Sequence, residues 1–160
     1  MELVVRPVIG TTGFAEPFLA QLDELLRARE LGGLYAPNFA VGALLMMRAA
    51  ALVAPFLPQV EIIEYHHEQK RDKPSGTARK TAQVIAAQLP EQTGGDIPIH
   101  SVRLPGFVAH QEIIFGGQGE RLTIRHDSVS RASFMPGVLL GIRGVMTATG
   151  LVDGLEHFLF

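Results

Sequence analysis

Residues 64–78 read Glu-Tyr-His-His-Glu-Gln-Lys-Arg-Asp-Lys-Pro-Ser-Gly-Thr-Ala. They gather groups that move protons beside a segment that can hold an anion. His66 and His67 end an apolar run, Lys70 comes four residues after His66, and Asp72 follows Lys70 by two. An imidazole and an ammonium held close depress each other's proton affinity, which brings both toward the range useful for acid catalysis near neutral pH. Successive residues on a strand point to opposite faces, so a regular strand offers only one of the two histidines to a given ligand. Ser75-Gly76-Thr77 is a helix-start signal. Ser75 caps the helix, Gly76 lets backbone come close to a ligand, and the first N–H groups lack intrahelical acceptors. With Lys70 nearby, the expected use is an anion site, and a small dicarboxylate would place one group on the helix end and the other on the Lys/His side. Adjacent histidines without a further ligand cluster lack zinc-site spacing, so no metal is expected.

The elements that must position these groups follow from the apolar pattern. Leu3 to Ile9 is a β-branched strand candidate, broken by Gly10-Thr11-Thr12-Gly13. Phe18, Leu19, Leu22, Leu25 and Leu26 then recur at helical spacing behind Pro17. Gly32-Gly33 is expected to stop that helix, and Leu34-Tyr35-Ala36 to resume as a short strand. Asn38 is a candidate N-cap for a long apolar helix from about Phe39 to Phe56. Val60 to Tyr65 reads as the strand that delivers the histidines, and Thr77 to Leu89 as the helix behind the anion site. A strand block follows, His100–Leu104, Val108–Phe115 and Arg121–His126, with Leu122 and Ile124 facing a core. Phe134 to Thr147 returns to helix, and Leu155–Phe160 is an apolar tail that pairs as an edge strand or docks on the core. Strands grouped after helices predict an α+β fold with a mixed sheet and flanking helices, preceded by a βαβ unit.

Hydrophobic residues make up 47% of the 160 and charged ones 19%, which predicts a folded chain with a real core. A net charge of −2 argues against a nucleic-acid partner or an anionic membrane surface. The apolar run from Phe39 to Leu57 is interrupted by Arg48 and Pro55, so no membrane span is expected and a cytoplasmic location is the default. Without cysteine there is neither a disulfide framework nor a thiolate metal site. Gly116-Gly117-Gln118-Gly119 sits in a predicted hairpin, the wrong context for a nucleotide loop. Gly10-Thr11-Thr12-Gly13 has the better context, between a strand and a helix, where open α/β sheets bind ligands. His100, His110, His126 and His157 read as structural. Arg103, Arg121, Arg125 and Arg131 read as lining a solvated or subunit-facing surface.

Read together, Glu64-Tyr65-His66-His67, Lys70, Asp72 and Pro74-Ser75-Gly76-Thr77-Ala78 closely resemble the signature of dihydrodipicolinate reductases. The resemblance extends to Val5–Gly13, Ala36-Pro37-Asn38-Phe39, Ser101–Gly106, His110-Gln111-Glu112, Phe115-Gly116-Gly117 and Ser133–Val138. Lys73 stands where that family usually has alanine. The resemblance implies reduction of 4-hydroxy-tetrahydrodipicolinate with NADH or NADPH in lysine and diaminopimelate biosynthesis. It implies His66 as general acid/base and Lys70 as proton donor, with His67, Gly76 and Thr77 holding the carboxylates of a small cyclic substrate. Gly10, Thr11, Thr12, Ala36, Pro37, Asn38 and Phe39 would line the nicotinamide end of the cofactor. It further implies residues 1–38 as the end of a dinucleotide-binding domain, 39–147 as a substrate-binding and tetramerisation domain built on the sheet, and 148–160 as a tail returning to the first. The family's Gly-rich pyrophosphate loop has no counterpart in these residues. The 160 residues alone are therefore expected to bind dinucleotide weakly, and the alternative expectation is a substrate-binding and oligomerisation module without turnover.

Overall fold

The computed structural model describes residues 4–11, 13–90 and 96–160. In chain order the elements are β1 (Val8–Ile9), α1 (Glu16–Ala28), β2 (Gly32–Tyr35), α2 (Val41–Val53), β3 (Gln59–His66), α3 (Gly76–Ala86), β4 (Ile99–Arg103), β5 (Ala109–Gly117), β6 (Glu120–Ser128), α4 (Met135–Gly144) and β7 (Gly150–Asp153). Single 3-10 turns cover Arg131–Phe134 and Leu155–Phe158. They form two compact units, one of Met1–Val41 with Ala132–Phe160, the other of Gly42–Arg131.

The first unit holds a parallel sheet of order β1-β2-β7, registered Ile9 to Tyr35 and Tyr35 to Asp153. Parallel neighbours need a crossover, which α1 supplies between β1 and β2. The strand expected over Leu3–Ile9 is regular only at Val8–Ile9, while Leu3 lies outside the described residues. Val4 and Val5 are mostly exposed, so β-propensity there has no packed face to act on. The pair Gly32-Gly33 does not end α1; both residues are buried inside β2. A Cβ on Gly32 would lie 2.4 Å from the Val145 carbonyl oxygen, which is the reason for glycine there. The helix is closed instead by Glu30 at φ 51°, where the Leu31 N–H reaches the Leu26 carbonyl and the Glu30 N–H the Arg27 carbonyl. Residues 132–147, assigned from the sequence to the substrate domain, belong to this unit. Gly137 and Gly141 let α4 lie against Phe39, Leu34 and Leu155, and a Cβ on Gly137 would come within 2.0 Å of the Phe39 carbonyl oxygen. β7 precedes the apolar tail, and the tail itself forms no strand: Leu155–Phe158 is a 3-10 turn that docks by burying Leu155.

The second unit is a four-stranded mixed sheet of order β4-β3-β5-β6, with β3 parallel to β4 and antiparallel to β5. Alternation along β3 puts Val60 and Ile62 on one face beside Ile113 and Phe115 of β5. Met46, Ala50 and Ala54 from α2 and its end, with Ala78 and Ile85 from α3, close that core. The same alternation carries Glu64 and His66 onto the core face. Leu122 was expected to be buried, yet it is 40% exposed, because β6 is the edge strand and the core narrows toward it. The opposite face carries Ile63, Tyr65, His110, Glu112, Arg125 and Asp127. There Arg125 pairs with Glu112 at 3.1 Å and Asp127 at 2.9 Å, and lies over the Tyr65 ring. No described helix is long and apolar enough to cross a membrane.

Candidate active site

His66 is the last residue of β3 and half-buried, and its Nδ1 is hydrogen-bonded to a carboxylate oxygen of Glu64 two residues earlier on the same face. Glu64 is fully buried. Arg103 of β4, directly opposite His66 in the parallel register, forks onto it with Nη2 to Oε1 at 2.7 Å and Nη1 to Oε2 at 3.0 Å. The Ser75 N–H adds a further donor at 3.3 Å. Burial works to raise the Glu64 pKa, but hydrogen bonds from Arg103, Ser101 and His66 outweigh it and hold the carboxyl below its usual range. For His66 burial is the largest influence and lowers the pKa. Glu64 opposes it, while Lys70 and Arg103 reinforce it, and the net value lies below that of an ordinary imidazole. A neutral imidazole at pH 7 follows.

Lys70 lies in the loop after β3, where its ammonium pairs with Asp72 at 2.8 Å and its amide donates to the His67 carbonyl at 3.1 Å. Arg103 also donates to the carbonyls of Lys70 at 3.3 Å and Asp72 at 2.7 Å. Glu64, His66, Lys70, Asp72, Ser75 and Arg103 thus form one bonded cluster. His67 is exposed in the same loop. Ser75 caps α3 as expected, with its hydroxyl accepting from the Ala78 N–H at 3.2 Å. Of the first N–H groups of α3, Ser75 is taken by Glu64 and Ala78 by the cap, which leaves Gly76 and Thr77 for an outside acceptor among the described residues. Space beside Gly76 is open, with no atom within 4 Å of where a Cβ would stand. Thr81, bonded to both the Thr77 carbonyl and Gln111, ties this first turn to β5.

In the first unit, Gly10 and Thr11 leave the carboxyl end of β1, and Ala36-Pro37-Asn38-Phe39 leaves that of β2, its hydrogen-bonded neighbour. Open parallel sheets take ligands outside the carboxyl ends of their strands. Gly10 is packed on the Phe39 ring, where a Cβ would come within 2.9 Å. Ala36 is fully buried and donates its N–H to the Ile9 carbonyl, and Asn38 accepts from the Ala40 N–H at 2.8 Å in a turn ahead of α2, which starts only at Val41, so Asn38 is not its N-cap. Thr11 and Pro37 are exposed. Thr12 lies outside the described residues. Close backbone, a missing Cβ and an aromatic edge fit the nicotinamide end of a dinucleotide.

The family described as dihydrodipicolinate reductase, C-terminus, matches residues 42–159. The chain belongs to the dihydrodipicolinate reductase family. It is 55% identical to the 4-hydroxy-tetrahydrodipicolinate reductase of Geobacillus thermodenitrificans, with 97% of this chain and 65% of that one aligned. It is 51% identical to that of Lactococcus lactis subsp. cremoris, over 99% of this chain and 68% of the relative. The solved structure of dipicolinate-bound dihydrodipicolinate reductase from Paenisporosarcina superposes with a TM-score of 0.83 at 52% identity, covering 96% of this chain and 64% of that one. The chain therefore spans about 65% of the length of the Geobacillus relative. Members are pyridine-nucleotide-dependent reductases.

Two residues of the cluster, Arg103 and Glu64, differ from what the sequence led one to expect. Arg103 was read as lining a solvated or subunit-facing surface, yet its side chain is 5% exposed and grips Glu64. It turns inward because β4 pairs parallel to β3, a long-range event. Glu64 carries a local signal, an acid two residues before a histidine on one strand face. Among the remaining histidines, His110 donates from Nδ1 to Asp127 at 2.6 Å and accepts the Val108 N–H on Nε2, and His100 pairs with Glu61 at 2.7 Å. No group of three or more potential metal ligands occurs among the described residues.

Proposed function

We propose that this chain serves the NADH- or NADPH-dependent reduction of 4-hydroxy-tetrahydrodipicolinate to tetrahydrodipicolinate, in lysine and diaminopimelate biosynthesis. The observation that carries this reading is the cluster at the end of β3. There a half-buried imidazole, a lysine loop and the open start of α3 are tied together by Glu64 and Arg103. The reduction takes up a hydride and a proton and releases water, so it needs an acid beside the ring and cationic or N–H groups for two carboxylates. His66 exchanges the proton as general acid/base, and Lys70 is the proton donor for the developing charge. Gly76 and Thr77 offer their N–H groups to one substrate carboxylate, at the positive end of the α3 dipole, and His67 assists. Reduced nicotinamide, when bound, supplies the hydride. Gly10, Thr11 and Thr12 with Ala36, Pro37, Asn38 and Phe39 would hold its ring end. The reaction is assigned to the cytoplasm. The sheet face bearing Tyr65, His110, Arg125 and Asp127, which neither α2 nor α3 covers, is the proposed surface for assembly into a homotetramer.

Calorimetric titration with pyridine-2,6-dicarboxylate tests the anion site. Binding is expected, and Lys70→Ala should weaken it about tenfold or more, the scale of a lost charge-assisted hydrogen bond. In steady-state assays following oxidation of the nicotinamide cofactor, His66→Ala should lower turnover by about 10²- to 10⁴-fold while cofactor affinity holds. An equal loss of cofactor affinity would sink the assigned role.

A further inference from the structure

Outside the groups assigned to substrate, Glu64 and Arg103 stand out among the described residues of the second unit as heavily bonded, buried charges. The Glu64 carboxylate is bonded to His66 Nδ1, both terminal nitrogens of Arg103, the Ser75 N–H and the Ser101 side chain. Arg103 spends its remaining hydrogen-bond capacity on carbonyls, those of Val102 at 2.7 Å, Asp72 at 2.7 Å and Lys70 at 3.3 Å. A buried ion pair of this kind is weak evidence for stability, because desolvation offsets most of its attraction. Its placement is more telling. One end fixes the imidazole, the other fixes the backbone on which the lysine stands, and Ser75 joins both to the start of α3.

We infer that Glu64 and Arg103 are positioning residues of the reductase site: Glu64 holds the proton of neutral His66 on Nδ1 so that Nε2 faces the reactant, and Arg103 pins the Lys70 loop to the same carboxylate. The chemistry follows from what each atom can do. A carboxylate already forked by a guanidinium is an acceptor only, so His66 Nδ1 must donate to it. The second ring nitrogen is then the one that gives and takes protons, with the imidazolium stabilised by the carboxylate behind it. Arg103, directly opposite His66 in the register, reaches the loop carbonyls because β4 runs parallel to β3. A lysine there would keep the charge but lose the fork that spans both carboxylate oxygens and both carbonyls.

The inference rests on the reductase reading of His66, and its test is read from the imidazole itself so that the two can fail separately. The primary measurement is the ring tautomer of His66 in the unaltered chain, by nitrogen-15 NMR of histidine-labelled protein. The proton is expected on Nδ1, and a proton on Nε2 overturns the proposal whatever the substrate proves to be. Glu64→Gln should then lower the His66 pKa by about one unit or more and move the acid limb of the pH profile with it. Glu64→Asp should restore part of the shift. Lost turnover in Glu64→Gln with an unmoved pKa would mean a merely structural role and would overturn the proposal. Arg103→Lys should leave the tautomer in place while hydrogen exchange at the Lys70 amide speeds up about tenfold; unchanged exchange would refute the pinning of the loop. Failure of the chain to reduce 4-hydroxy-tetrahydrodipicolinate, with the tautomer as expected, would count against the function alone.

Discussion

The two units hold their candidate ligand groups by opposite means. In the second, His66 and the Lys70 loop are held by buried charge, with a fully buried carboxylate and an almost fully buried guanidinium at the centre. In the first, the loops after β1 and β2 are shaped by backbone and by missing side-chain atoms: Gly10 on Phe39, Gly137 under the Phe39 carbonyl, Gly32 under Val145. Charge can tune a proton affinity, which an acid needs, whereas close backbone makes a surface of fixed shape, which suits a large flat ligand. Substitutions in the two places should therefore fail for different physical reasons.

The largest effect is expected from Arg103→Ala, which strands the Glu64 carboxylate in the core. Denaturant unfolding should show a loss of about 3–5 kcal/mol. If the loss is below about 1 kcal/mol, charge does not organise that unit. Gly137→Ala comes next, at about 1–3 kcal/mol by the same measurement, because its Cβ would meet a carbonyl oxygen rather than a yielding side chain. That loss should not vary with pH, which separates it from the first.

Acidification should be a smaller, one-sided effect. Both imidazoles with depressed affinity, His66 and His126, lie in the second unit, and burial is the main cause for each. Their folded-state values fall below the ordinary 6.5, so the folded chain holds fewer protons than the unfolded one as pH drops through that value, and stability falls with it. Hydrogen exchange at pH 7.5 and 5.5 should show β3 and β5 losing protection ahead of β2 and β7. Uniform loss would erase the distinction between the units. The smallest effect is a gain: Glu30→Gly at the end of α1, where φ is 51°, should raise stability by about 0.5–1 kcal/mol.

Local features were read well from the chain. Ser75 caps α3 and β3 ends on His66, each set by residues within a few positions. What escaped was any feature set at long range. Gly32-Gly33 looked like a helix stop because its reason, the Val145 and Ala148 carbonyls, lies more than a hundred residues away. The resemblance implies a substrate domain that includes the helix from Met135, whereas the small face of that helix packs on Phe39, Leu34 and Leu155 of the first unit. Leu122 follows a proper alternation but stands on an edge strand.

By itself the sequence determined the chemistry on offer: the run from His66 to Thr77 carries its imidazoles, ammonium and helix start in one short stretch, and short-range geometry brings them near one another. Only the tertiary structure decided how that chemistry is oriented. Glu64 becomes a buried partner of His66 because the core closes over that face of β3, and Arg103 joins it because a parallel strand 39 residues on places a guanidinium opposite the histidine. A hydrogen bond needs contact, and contact across such a separation is made by strand pairing, which no local pattern of residue types encodes.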